Sequence, residues 1–270
     1  MTADDDKPAK IPSSFRIGSV PYLNSVPLTC GIENQVVFAP PSQLATMLEN
    51  ETLDAALVSV TEALLHPGYA ILDNVAVACD GPVISVFLAT RIPLNSIEVV
   101  HCDPASLTSI NLLKILLKAK GVQPQWHPLS SYEESFEKDA VLLIGDPAIA
   151  FIQADHKHRI WDLGAAWKEL TGLPFVFAVW AIRQGYEDPA LLSSLMSAKL
   201  RGIAQLPALI EGESRFDPDF RKAYLGKAIQ YDLGEREKTA IHSFMEKLAG
   251  GGLGHKVYPP RFVYHEIPKK

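Results

Sequence analysis

Basic charge is in short supply. The 270 residues carry 25 Lys and Arg against 31 Asp and Glu, a net charge of −6, and no basic run is longer than the terminal Lys269-Lys270 pair. A nucleic-acid-binding surface needs a basic footprint, so that class is excluded. Cysteine is scarce as well: Cys30, Cys79 and Cys102 stand far apart, are odd in number and form no Cys-x-x-Cys pair. Neither a disulfide framework nor a zinc knuckle fits that pattern. The longest nearly continuous apolar stretch, Leu173 to Ile182, is about half of a membrane span. The first residues, MTADDDKPAKIPSS, are acidic and polar where a signal peptide is basic and then apolar. Gly-x-Ser-x-Gly, Walker and Gly-x-Gly-x-x-Gly motifs are missing, so serine hydrolases, NTPases and dinucleotide enzymes have no foothold. The expectation is a soluble, cytoplasmic protein with reduced thiols, bound to neither nucleic acid nor membrane and needing no metal or other cofactor.

What is present is an ordinary globular composition, 47% hydrophobic and 21% charged, on a chain long enough for two lobes of ~100–150 residues each. Residues 1–13 read as a disordered tail. Phe15 to Val20, Val36-Val37-Phe38, Leu53 to Ser59, Ser85 to Arg91, Val99 to Cys102 and Ala140 to Asp146 read as strands, being apolar, β-branched and bounded by or ending in proline or polar residues. Helices alternate with them: one starting near Pro27, one capped by Ser42, one over Ile110 to Leu117 closed by Gly121. Asp188-Pro189 opens a helix as N-cap and N1, and another is expected over Glu235 to Leu248. This alternation predicts an α/β protein with parallel strands. Chain crossings are expected near residues 88–93 and 179–185, dividing the chain into a first lobe of 14–90 plus 182–270 and a second lobe of 91–181. Two crossings imply a hinge and a ligand-binding cleft.

The strongest chemical signal is Asp103-Pro-Ala-Ser106-Leu-Thr108-Ser109, a strand that turns into a helix through several hydroxyls. Free backbone N–H groups and the helix dipole there suit a carboxylate or phosphate, although the same residues also serve as a plain N-cap. Asn24, between Pro21 and Pro27, is either a ligand-facing amide or an Asx-turn residue. Ser59, Ser85 and Asp146 end strands, where open α/β sheets place ligand contacts. Asp155-His156-Lys157-His158 looks like a metal cluster, but its lysine and missing third ligand favour a solvated loop. Conspicuous catalytic machinery is absent.

Four motifs in order carry a resemblance: Val20-Pro-Tyr22-Leu-Asn24-x-x-Pro27-Leu28; Asp103-x-x-Ser106-x-Thr108-Ser109; Leu143-Ile-Gly145-Asp146-Pro-Ala148; and Asp162-Leu-Gly164-x-x-Trp167-x-x-Leu-Thr-Gly-Leu-Pro-Phe175-Val-Phe177-Ala-x-Trp180. Together they resemble the chorismate dehydratase family of the futalosine route to menaquinone, over residues 15–265. The resemblance implies a two-lobed, type II periplasmic-binding-protein-like fold with two crossover strands and a central cleft. It also implies loss of water from chorismate, a dicarboxylate, to give 3-[(1-carboxyvinyl)oxy]benzoate. Asn24 and Ser85 would then be the catalytic residues. Ser106, Thr108 and Ser109 would receive a carboxylate, Ser59 would contribute to substrate binding, and Tyr22 and Phe175 would wall the cleft. Asp146, or else the substrate's own enolpyruvyl carboxylate, would take the proton. The sister enzyme that cleaves a cyclic futalosine derivative carries a histidine where this chain reads Gly145-Asp146, which counts against that activity. A non-catalytic small-anion binder is the remaining alternative, expected to bear a signal peptide or lipidation cysteine. A regulator's effector domain would need an N-terminal helix-turn-helix, for which residues 1–14 are too short. Nothing in the sequence fixes an oligomeric state.

Overall fold

The computed structural model describes residues 12, 14–103, 107–250 and 256–264. The expected tail therefore lies, apart from residue 12, outside the described residues. From the N-terminal side run β1 (Ile17–Ser19), a 3-10 turn (Leu23–Leu28), β2 (Val36–Phe38), α1 (Pro41–Glu49), β3 (Ala55–Ser59), α2 (Val60–Leu65) and β4 (Tyr69–Cys79). Next come β5 (Val86–Thr90), β6 (Val99–Cys102), α3 (Leu107–Ala119), β7 (Gln125–Pro128), β8 (Ala140–Ile144), α4 (Gly145–Gln153), β9 (Arg159–Asp162) and α5 (Leu163–Thr171). The last part holds β10 (Phe175–Arg183), α6 (Pro189–Ala204), α7 (Leu206–Gly212), α8 (Pro218–Ala223), a π-turn (Tyr224–Ala228), α9 (Glu235–Gly250) and β11 (Phe262–Val263).

Two sheets organise these elements. The first has the order β11-β4-β10-β3-β1-β2 and the second β7-β6-β8-β5-β9. β1 pairs in parallel with β2 and β3, and β6 with β7 and β8, as the alternation of strands and helices predicts. Both sheets are nevertheless mixed, because β10 runs antiparallel to β3 and β4, and β5 antiparallel to β8 and β9. The expected lobe boundaries move accordingly. β5, read as the end of the first lobe, belongs to the second sheet, and β10, read into the second lobe, belongs to the first. The chain thus crosses between sheets at residues 80–85 and 163–174. The earlier placement followed prolines and apolar runs, whereas the crossings are set by which strands each segment pairs with.

Local chemistry explains most element ends. Asp188 accepts the Ala190 N–H and Pro189 fills N1 of α6, and Gly121 takes the left-handed conformation just beyond α3. Ser42 does not cap α1, which begins at Pro41 with Pro40 at the N-cap position. The strand β4 carries no alternation to announce it: it is buried along nearly its whole length, with only Asn74 exposed, at a φ of +62°. At the junction of the lobes Trp167, Phe175 and Phe244 pack edge to face with ring centroids 5.1–6.1 Å apart, tying α5, β10 and α9 together. Among the described residues no helix is long and apolar enough to cross a membrane.

Candidate active site between the lobes

A cavity opens where the two sheets face each other, the kind of interlobe position in which small-molecule sites occur. Its wall is mostly apolar, built from Val20, Leu57, Val77, Val86, Ile144 and Ile229, and none of its described lining residues carries a formal charge. Polar groups reach it from strand ends and helix starts. Ser59 closes β3 and caps α2, its Oγ accepting the Glu62 N–H at 3.3 Å. Thr108 and Ser109 lie in the first turn of α3, and Gly145 opens α4. Two helices of thirteen and nine residues therefore begin on the cavity, and their N-terminal partial charge favours an anion there.

Of the residues singled out from sequence, the cavity brings together Tyr22, Asn24, Ser59, Ser85, Thr108 and Ser109. Ser106 lies outside the described residues. Phe175 does not wall the cleft: it is buried in the aromatic cluster with Trp167 and Phe244. Phe177, two residues on and edge-on to it at 4.7 Å, is the ring that reaches the cavity. The sequence points to this strand, but a register shift between Val176 and Ala178 falls at Phe177 and decides which of the two rings reaches the cavity. Asp146 also stands apart. It lines an adjoining groove with Tyr132, Arg215 and Phe216, and both its oxygens are engaged, Oδ1 by the Leu23 N–H at 2.9 Å and Oδ2 by Arg215 Nη1 at 2.8 Å. Burial pushes its carboxyl above the usual carboxylate range, opposed by these two donors.

Tyr224 is a site residue that the sequence did not disclose. Fully buried in the π-turn, its hydroxyl is hydrogen-bonded to Ser85 Oγ at 2.7 Å. Asn24 stands near the same phenol, whose own ionisation burial makes difficult. Each of the two bonded hydroxyls can also turn toward a second partner. Tyr22, half-buried on the cavity wall, is pushed up to about 12 by burial and by the nearby Asp103 and Asp146, so its phenol is neutral at neutral pH. Thr108 is already committed. Its Oγ1 accepts the Thr61 N–H at 3.0 Å and donates to Thr61 Oγ1 at 2.9 Å, clasping α3 of the second lobe to α2 of the first. Asp155 and Lys157 are exposed in an irregular loop, as expected, but His158 is buried, edge-on to Phe151, with Nε2 2.8 Å from the Lys138 carbonyl. No group of three or more metal-ligating side chains gathers among the described residues.

Three comparisons bear on this geometry. The chain is 32% identical over 258 residues to a chorismate dehydratase of Thermus thermophilus, covering 87% of this chain and 95% of that one. It is 28% identical over 232 residues to a chorismate dehydratase of Campylobacter jejuni, covering 83% and 89%. In structure it matches the alkanesulfonate-binding protein SsuA of Xanthomonas axonopodis with a TM-score of 0.71 at 15% identity, covering 93% of this chain and 98% of that one. That likeness shows the two-lobed periplasmic-binding-protein fold. The model of a family described as menaquinone biosynthesis matches residues 15–250. The chain belongs to the menaquinone biosynthesis family.

Proposed function

We propose that this protein is a chorismate dehydratase, a carbon–oxygen lyase that removes water from chorismate to form 3-[(1-carboxyvinyl)oxy]benzoate. The observation that carries the reading is the uncharged interlobe cavity on which two helices begin and Asn24, Ser59, Ser85 and Ser109 converge. Its relatives of the same printed name, matched over most of both chains, support it.

The chemistry suits such a site. The proton lost sits on the ring carbon bearing the enolpyruvyl ether, and the neighbouring hydroxyl leaves with its bonding electrons. The ring double bond conjugates that carbon to the ring carboxylate, so negative charge developing on it spreads onto those oxygens. Departure of the hydroxyl then completes an aromatic ring, which makes the overall step strongly downhill. The enzyme's work is to hold one conformer and to stabilise charge on a carboxylate, and oriented N–H and O–H donors do both. In this reading the first turn of α3, with Ser109, receives one carboxylate. The Asn24 amide and the Ser85 hydroxyl hold the reacting ring and its departing hydroxyl. Tyr22 and Phe177 flank the ring, and Ser59 contributes a further donor.

A base is still required. Among the described lining residues only Tyr22 titrates, and a phenol pushed up to about 12 is a poor proton acceptor. Asp146 is turned away and bonded at both oxygens. The substrate's own enolpyruvyl carboxylate, adjacent to the proton, is the base that this arrangement leaves. Incubating the purified protein with chorismate, with chromatography and mass detection, tests the function. A product lighter by one water with a substituted-benzoate spectrum is expected. Chorismate bound but unchanged would point instead to a small-anion binding protein.

A further inference from the structure

The segment that crosses from the first sheet to the second ends in a turn with an unusual backbone. Ile84 has φ +71°, a left-handed conformation that is costly for any residue with a Cβ and most of all for a β-branched one. Such a residue persists only where its surroundings over-determine it. Here one side chain holds the N–H groups of the turn. Asp162 Oδ2 accepts the Ile84 N–H at 2.7 Å and the Val83 N–H at 3.1 Å, while Oδ1 accepts Val83 N–H at 3.1 Å and the Ala165 N–H at 2.9 Å. The same carboxylate therefore caps α5 and grips the crossing turn.

The grip is set by the sheet and the helix together. Asp162 is the last residue of β9 and lies opposite Phe87 of β5, so the ladder fixes its position relative to the turn just before β5. Gly164, in the first turn of α5, lets the helix lie directly on the crossing: a Cβ there would stand 2.4 Å from the Gly81 carbonyl oxygen and 2.6 Å from Cys79 Sγ. Ser85 is the next residue after Ile84. Its carbonyl accepts the Gly145 N–H at 2.8 Å and its Oγ receives the Tyr224 hydroxyl. The rotation at Ile84 decides where the Ser85 Cα–Cβ bond points, and hence whether its hydroxyl faces the cavity.

We propose that Asp162, which lines no part of the cavity, is a positioning residue for Ser85, holding the Val83–Ser85 turn in the left-handed conformation that aims the Ser85 hydroxyl at the substrate. The inference rests on Ser85 acting in the dehydration proposed above. Asp162→Asn puts an N–H₂ where an oxygen now faces backbone N–H groups, so one face of the grip is lost. The expected result is a fall in kcat of about 10- to 100-fold with KM within about threefold. Relief of the strain separates positioning from mere support. Adding Ile84→Gly to Asp162→Asn should restore kcat by about tenfold, because glycine adopts positive φ freely. Adding Ile84→Ala, which removes nearly the same side chain but keeps a Cβ, should not. An unchanged kcat in Asp162→Asn, or equal rescue by glycine and alanine, would overturn the proposal. Where the asparagine variant folds poorly, Asp162→Ser keeps a capping oxygen for α5 and carries the same test. A crystal structure of Asp162→Asn gives a readout that needs no turnover. Ile84 should relax to negative φ with Ser85 Oγ leaving Tyr224, and an unmoved turn would refute the role even if the wild-type protein failed to convert chorismate. That last failure by itself would count against the functional reading.

Discussion

The Tyr224 hydroxyl, from the π-turn that follows α8, donates a 2.7 Å hydrogen bond to Ser85 Oγ at the start of the second lobe. Tyr224→Phe keeps the ring packed and removes only the oxygen. Ser85 can then rotate, and Asn24 loses a polar neighbour in the same step. kcat for chorismate dehydration should fall by about 10- to 100-fold, roughly 1.4–2.7 kcal/mol of transition-state stabilisation, with a much smaller change in KM. Steady-state kinetics decide it: a variant that loses KM alone would mean that the phenol only shapes the pocket.

The Asp146 carboxylate is held by Leu23 and Arg215, both outside the reacting cavity. Asp146→Asn retains an acceptor for the Leu23 N–H and forfeits the charge opposite Arg215. Turnover should stay within about threefold of wild type, with a stability loss of at most about 1 kcal/mol for this partly exposed pair. Loss of kcat by several orders of magnitude with chorismate still bound would reinstate Asp146 as the base and remove the substrate-assisted step.

How far these residues could be read beforehand follows from the kind of signal each left. β6 was legible to the residue as a short β-branched run between polar ends, β8 was legible except that Gly145-Asp146 open α4 instead of ending the strand, and the Asp188-Pro189 start of α6 is a local chemical code. Ser59, Ser85 and Ser109 were legible as polar residues ending strands or starting helices, which is where open α/β sheets expose groups. The lobe boundary was not legible, since membership of β5 and β10 is decided by pairing with strands distant in sequence. Phe175 and Phe177 are interchangeable by type, and only packing against Trp167 and Phe244 tells which one faces inward. Tyr224 left no signal at all: it sits in an irregular turn 139 residues from its partner, and nothing local marks it as polar machinery.

Thr61 and Thr108 meet across the cleft, one from each lobe, and share two hydrogen bonds. Thr108 lines the cavity as a candidate substrate donor, and its hydroxyl also bonds the two lobes together. Thr61→Val and Thr108→Val should each destabilise the folded protein, and the double variant should cost less than the two single costs added. A coupling of about 0.5–1.5 kcal/mol is expected from denaturant unfolding of the four proteins. Additive costs would show that the two hydroxyls act independently of each other.

Glu213 and Arg215 brace the outer mouth of the site. The Arg215 guanidinium donates to Glu213 Oε2 at 2.6 Å, to Asp146 and to the Pro21 carbonyl at 2.9 Å, so one side chain joins the segment before α8 to both lobes. Hydrogen bonding by Arg215 holds the Glu213 carboxyl down to about 2 from an ordinary value of 4.5. A carboxyl depressed on folding contributes stability that is complete above its unfolded value and lost as the pH falls through the folded one. The loss from this group should therefore begin below about pH 4.5 and be complete near pH 2. Glu213→Gln removes the titration while keeping an acceptor for Arg215. Urea unfolding at pH 7, 4 and 3 should show the variant less stable than wild type at pH 7 and the gap narrowing as the pH drops. A gap that stays constant across that window would mean the Glu213–Arg215 pair contributes through packing alone, and the acid sensitivity of the fold would have to lie elsewhere.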